Sequence, residues 1–153
     1  MSFTDQEKKN IALAKEYMGI AYSPGKASAK AVAHVCAPGN KFIAPGTFPD
    51  AHTLEEYAEG HAEIMASVDD LKIISYDLEY AKGNQVTLRY TAAGTHSGKP
   101  HNGIPPSGKR AQWTAAALFE VDEDKGVLTK FVKDWDKHTM WKGLGWTDAP
   151  EMK

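Results

Sequence analysis

The sequence predicts an α+β fold, with helices first and an antiparallel sheet after them. Three observations carry this. Apolar residues recur at helical spacing behind capping residues up to Val68, alternation of period two takes over from Leu71, and turn residues separate the later apolar runs. With no internal repeat, linker or composition break, residues 1–153 are expected to form one domain.

Thr4, with Glu7 three residues on, has the spacing of a capping box and opens a helix to Ala21. Ile11, Ala14, Tyr17 and Met18 form its apolar stripe, and Ser23–Lys26 (SPGK) breaks it. A short helix follows over Ala27–Cys36, stopped by Pro38 and Gly39. The stretch NKFIAPGTFPDAH from Asn40 is expected to be an ordered loop. Thr53 then caps a third helix, with Glu56 at the capping-box position and Leu54, Tyr57, Ala58, His61, Met65 and Val68 on one stripe.

An antiparallel meander of at least four strands is predicted next. LKIISYDLEYAK ends at the turn pair Gly83-Asn84. QVTLRYTAAGTH follows, with Val86, Leu88 and Tyr90 on one face and Thr87, Arg89 and Thr91 on the other. A long connection leads to AQWTAAALFEV, and the turn DEDKG leads to VLTKFVKDWD. The segment HTMWKGLGW is expected to make one or two helical turns ended by a glycine.

The chain is 42% hydrophobic and 25% charged, with a formal net charge of −2 and no block of like charge. That balance argues against nucleic acid, which demands a basic face. No stretch resembles a membrane span or a signal-peptide core, so no membrane partner is expected and a cytoplasmic location is. The single Cys36 has no partner for an internal disulfide and is expected to be a structural thiol.

Candidate chemistry is sparse. The connection GTHSGKPHNGIPPSGKR lacks a hydroxyl residue after its final GK, where Arg110 stands, and runs into a strand; a phosphate-binding loop is excluded. His96 and His101 lack further ligands at diagnostic spacing, so no metal site is expected. His61, on an apolar helix stripe, is either a core histidine held by one hydrogen bond or a proton donor facing a cavity. Arg89 is a surface cation, or a fixed positive charge for a carboxylate or enolate if its face lines a cavity. Asp134 and Asp136 fall in phase with Leu128 and Val132; they lie at the surface or form a carboxylate pair of raised pKa. Tyr57, Met65, Tyr90, Trp113 and Trp135 are candidate pocket walls, with core packing as the alternative. No Ser-His-Asp elbow, dinucleotide fingerprint or CxxC pair is present.

The segments VTLRYTAAGTHSG and GIPPSGKR, with a final strand leading to Asp136 and then Leu144-Gly145, resemble the SnoaL-like polyketide cyclase or ester cyclase family. The match covers roughly residues 60–146. The resemblance implies a cone-shaped α+β barrel of the nuclear-transport-factor or ketosteroid-isomerase type, with helices packed on a strongly curved, mainly antiparallel sheet around an apolar pocket. It implies a homodimer or higher homo-oligomer formed through the outer sheet face. It further implies ring closure of a small hydrophobic metabolite by intramolecular aldol addition, with no metal or organic cofactor. By the family pattern Asp136, ten residues after Gly126, is the acid–base aspartate, with Asp134 the fallback, and Arg89 is the recurrent strand arginine. His96 is expected on the pocket rim, supporting or touching substrate. The chain departs from the pattern at Val132, where a tryptophan is usual, at Lys130, where a glutamate is usual, and in the longer turn DEDKG. A hydrolase or dehydratase using Asp134, Asp136 and Arg89, and a non-catalytic binder, are the alternative readings.

Overall fold

In the computed structural model, which describes residues 2–146, four helices and five strands alternate only at the N-terminal end. Helix α1 spans Asp5–Ala21, and the predicted capping box is formed: Thr4 Oγ1 accepts from Glu7 N while Glu7 Oε1 accepts from Thr4 N. Helix α2 is shorter than expected, Ala29–Val32, and runs into a 3₁₀ turn over Ala33–Val35. Helix α3 spans Leu54–Ser67 behind the Thr53 cap, and α4 spans Lys137–Leu144. Gly145 ends α4 at φ 79°, a left-handed conformation that favours glycine.

The sheet has the order β1-β5-β4-β3-β2. Strands β2 (Lys72–Lys82), β3 (Gln85–Thr95), β4 (Arg110–Asp122) and β5 (Val127–Trp135) form the predicted antiparallel meander. Strand β1, Cys36–Ile43, pairs parallel to β5 and corrects the expectation of a loop from Asn40. Pro38 and Gly39 sit where the β1–β5 register shifts between Cys36 and Lys41, so the breakers are absorbed in an edge-strand irregularity. Asn40 then anchors the connection to α3, its Oδ1 accepting from Leu54 N at 2.8 Å. Register shifts in β2 at Ile73/Ser75 and Tyr76/Leu78, and in β4–β5 at Glu120/Val121, add local twist. The sheet curls around α1 and α3 but does not close.

The concave face holds the core. Tyr17, Phe42, Tyr57, Phe119 and Phe131 are buried against one another, with Phe119 and Phe131 stacked at 4.5 Å. Tyr17 donates to the Leu54 carbonyl at 2.6 Å, fixing α1 to the start of α3. The long connection between β3 and β4 has a structural task. Gly98 lies so close to α3 that a Cβ there would stand 2.2 Å from the Ala66 oxygen, and Gly98 N donates to Ser67 O at 2.9 Å. Asn102 (φ 46°) and Gly103 (φ 80°) form the tip of a tight hairpin closed by His101 and Ile104. Ser107 then donates to Leu144 O at 3.0 Å, so the connection ties α3 to α4.

The convex face is different. Tyr80, Thr87, Leu118, Val132 and Ile43 are successive cross-strand partners and form one row over all five strands. Leu118 is 43% exposed and Ile43 40%. No helix among the described residues is long and apolar enough to cross a membrane.

Candidate active site

Alternation on three elements brings polar groups into the apolar interior. On β5, Phe131 and Lys133 are buried and Trp135 is partly buried, whereas Asp134 is exposed. On β3, Leu88, Tyr90 and Ala92 point inward. On α3, Tyr57, His61 and Met65 stand four residues apart and share the buried face. Tyr22, the residue that ends α1, completes the set.

These residues form a connected cluster around one amine. Lys133, 3% exposed, donates from Nζ to Tyr22 Oη and Tyr57 Oη, both at 2.9 Å. Tyr57 donates onward to Tyr22 at 3.3 Å, and the Tyr22 and Tyr90 hydroxyls are 2.6 Å apart. The rings of Tyr22, Phe48, Tyr57 and Trp135 surround Nζ, with centroids 4.5 to 5.5 Å away. Among the described residues no carboxylate forms an ion pair with Lys133. Burying an ammonium without a counterion costs several kcal/mol, so the balance moves towards the neutral amine. Burial accordingly pulls the Lys133 pKa below its ordinary value, and hydrogen bonding to Tyr22 opposes this only in part. Burial also raises the Tyr57 and Tyr90 phenols well above theirs, keeping them protonated.

His61 packs under this cluster, 4.3 Å from the Tyr22 ring, and its Nδ1 meets the Ala21 carbonyl at 2.7 Å. Burial and the nearby Lys133 lower its pKa to about 3, so the ring is neutral and Nδ1 carries the proton donated to Ala21. A buried, neutral ring with one hydrogen bond to the backbone has the geometry of a core histidine.

A cleft of about 610 Å³ opens beside the cluster. Phe48 and Asp50 of the β1–α3 loop, Gly60 and Ile64 of α3, His101 of the hairpin tip and Trp135 of β5 line it. Phe48 and Trp135 lie both on the cleft and against Lys133, so the wall between them is one side chain thick. Trp135 Nε1 is buried and, among the described residues, has no hydrogen-bond partner.

Several sequence-predicted residues lie elsewhere. Asp136 is exposed and caps α4, accepting from Thr139 N at 3.1 Å and Thr139 Oγ1 at 2.6 Å. Those bonds hold its carboxyl below the usual range, the opposite of the raised pKa expected of a buried base. Asp134 is exposed on the convex face. The cause is the register shift near Thr129: Leu128 is buried before it, but after it the inward phase is Phe131, Lys133 and Trp135. Arg89 is likewise on the convex face, 53% exposed and 3.4 Å from Asp77, because its neighbours Leu88 and Tyr90 take the inner positions. Arg89 and the two aspartates thus do not converge with His61.

Of the predicted walls, Tyr57 and Tyr90 join the polar cluster and Trp135 lines the cleft, while Met65 and Trp113 are core residues. His96 is fully buried, accepting from Trp146 Nε1 at 3.0 Å on Nδ1 and donating from Nε2 to Lys99 O at 2.9 Å. It supports the hairpin rather than facing the cleft; His101, five residues beyond it, is the histidine on the rim. Cys36 is buried and its thiol is pushed up to about 12, as suits a structural thiol. Among the described residues no group of three or more His, Cys, Asp or Glu is placed to hold a metal.

Lys133 and Tyr22 are the residues that sequence reasoning missed. A lysine between Val132 and Asp134 reads as surface charge, and Tyr22 adjoins a helix breaker. The available signal was the phase Phe131-x-Lys133-x-Trp135, a lysine in step with two aromatics.

Comparison with known proteins agrees with this architecture. The family model for SnoaL-like polyketide cyclase matches residues 20–135. Similar solved structures include IdmH, a candidate polyketide cyclase from Streptomyces antibioticus (23% identity, TM-score 0.69, covering 93% of this chain and 99% of that one). A candidate polyketide cyclase from Acidithiobacillus ferrooxidans superposes with a TM-score of 0.73 at 19% identity, over 95% and 98% of the two chains. An LEH-like epoxide hydrolase from M. tuberculosis shares the fold at 16% identity and a TM-score of 0.63, over 91% of each chain. No curated relative matches in sequence.

Proposed function

Because the chain belongs to the SnoaL-like polyketide cyclase family, we propose that it is a cyclase or isomerase moving protons on a hydrophobic, polyketide-like carbonyl metabolite. The observation that carries this is the hydrogen-bonded set Lys133–Tyr57–Tyr22–Tyr90 behind the wall of an aromatic-lined cleft. A carbon acid needs a base near the α-carbon and a donor at the carbonyl oxygen. A lysine biased towards its neutral form supplies a basic lone pair, and phenols that stay protonated supply donors. Proton return along the same bonds completes an isomerisation; attack of the enolate carbon on a second carbonyl of the same molecule closes a ring. Holding a flexible chain against Phe48 and Trp135 lowers the entropic part of the barrier to ring closure.

The acid–base centre in this reading is the cluster on the inner face of β5, not Asp136. The test is exchange of the methyl protons of acetylnaphthalene in heavy water, followed by NMR. The wild-type protein is expected to accelerate exchange, and Tyr57→Phe to slow it by about two orders of magnitude. Exchange at the uncatalysed rate in the wild type would remove the reading.

The chain is also proposed to act as a homodimer. The apolar row from Tyr80 to Ile43 on the convex face supports this, since such a patch on a free surface marks an interaction site. A second copy presents the same row, as an isologous contact requires.

A further inference from the structure

We propose that Lys133 acts as a nucleophile: its Nζ condenses with an aldehyde or ketone held in the cleft beside Trp135, forming an imine and releasing water. The inference rests on reading the cleft as a carbonyl site, and deepens it by making the amine a nucleophile and the Tyr57 phenolate the base.

Three observations support it. The amine is buried among aromatic rings with no carboxylate among the described residues to pair it, an arrangement that keeps an amine nucleophilic and that packing alone does not require. Two phenols lie 2.9 Å from it, close enough to move the protons of the condensation. Trp135, whose ring lies both on the cleft and against Nζ, has a buried Nε1–H with no hydrogen-bond partner among the described residues, and a carbonyl or carbinolamine oxygen would satisfy it.

The chemistry balances without a redox partner. The nitrogen lone pair adds to the carbonyl carbon, and the proton lost by nitrogen passes to the oxygen, giving a carbinolamine. The Tyr57 hydroxyl protonates the departing hydroxyl, water leaves, and an iminium–phenolate pair remains. The phenolate then takes the α-proton, which gives an enamine and restores the phenol. The enamine carbon adds to a second carbonyl of the same molecule or is reprotonated, and water returns to release the product and the free amine. An aldehyde reaches Nζ once the Phe48 side chain rotates aside, since that ring lies both on the cleft and against Nζ.

The test is reductive trapping. The intact protein is treated near neutral pH with naphthaldehyde and cyanoborohydride, and the labelled lysine is located by peptide mass spectrometry. Lys133 is expected to carry the naphthylmethyl group about tenfold faster than any surface lysine. Phe48→Ala is expected to label faster still, and Lys133→Met to lose that label while remaining folded. Label confined to surface lysines in both the wild type and Phe48→Ala would overturn the proposal. Failure of trapping with proton exchange intact would sink the covalent step alone. Trapping at Lys133 without proton exchange would uphold the nucleophile and sink the cyclase or isomerase reading.

Discussion

Lys133 Nζ and Tyr57 Oη are 2.9 Å apart, joining the last strand to the first turn of α3 through a buried, polar contact. Among the described residues the surroundings offer aromatic faces rather than a counterion, so this contact is costly to the fold and useful to chemistry. That combination is what active sites accumulate.

Lys133→Met should therefore stabilise the protein while destroying activity. Methionine fills a similar volume without an amine to desolvate, and replacing buried ionisable groups by apolar ones is often stabilising by about 1–4 kcal/mol. Urea denaturation at neutral pH should show a higher midpoint for the variant. A lower midpoint would mean that the amine holds the fold together.

His61 gives the protein an acid-sensitive core. Its folded pKa of about 3 lies below the ordinary histidine value, so the unfolded chain binds the extra proton first as pH falls. The contribution of a neutral His61 is complete above about pH 6.5 and is lost as pH falls from there towards the folded value. The slope approaches about 1.4 kcal/mol per pH unit within that window. His61→Gln, whose amide keeps a donor for Ala21 O, should flatten the stability profile between about pH 6 and 5, where carboxylates remain ionised. An unchanged profile would show that His61 is solvated.

Asp136→Ala should weaken the N-terminus of α4 by about 1 kcal/mol, the usual cost of losing a cap. Asp136→Asn keeps an accepting oxygen and should cost less. Thermal melts of the two variants compare them directly; equal loss would mean that charge at the cap, rather than the hydrogen bond to Thr139 N, is what matters.

The convex face predicts the oligomeric state. Sedimentation of the wild-type protein should report a dimer, and Leu118→Lys, placed mid-row with 43% of the residue exposed, should shift it to monomer without unfolding. A monomeric wild-type protein would contradict the interface.

The order of helices and strands was legible in the sequence because capping residues and alternation are local signals. Thr4 with Glu7, Thr53 and the turn at Gly83-Asn84 all act where the sequence places them. What escaped depended on register. Pro38-Gly39 concealed β1, since a parallel edge strand that bulges around breakers has no local signature. The irregularity near Thr129 inverted the expected faces of β5, exchanging Asp134 for Lys133 as the inward residue. Arg89 was correctly set opposite Tyr90, but only the packing of α1 and α3 decides which of those faces is inside. The cluster around Lys133 draws on residues 22, 57, 90 and 133, so no single motif contains it.

The central claim is that protons move at Lys133 on the inner face of β5 and not at Asp136 on the surface. The most direct measurement compares acetylnaphthalene proton exchange, by NMR in heavy water, for Lys133→Met and Asp136→Asn side by side. The account predicts a loss of about two to four orders of magnitude for the first and near wild-type exchange for the second. Exchange retained by Lys133→Met and lost in Asp136→Asn would contradict it.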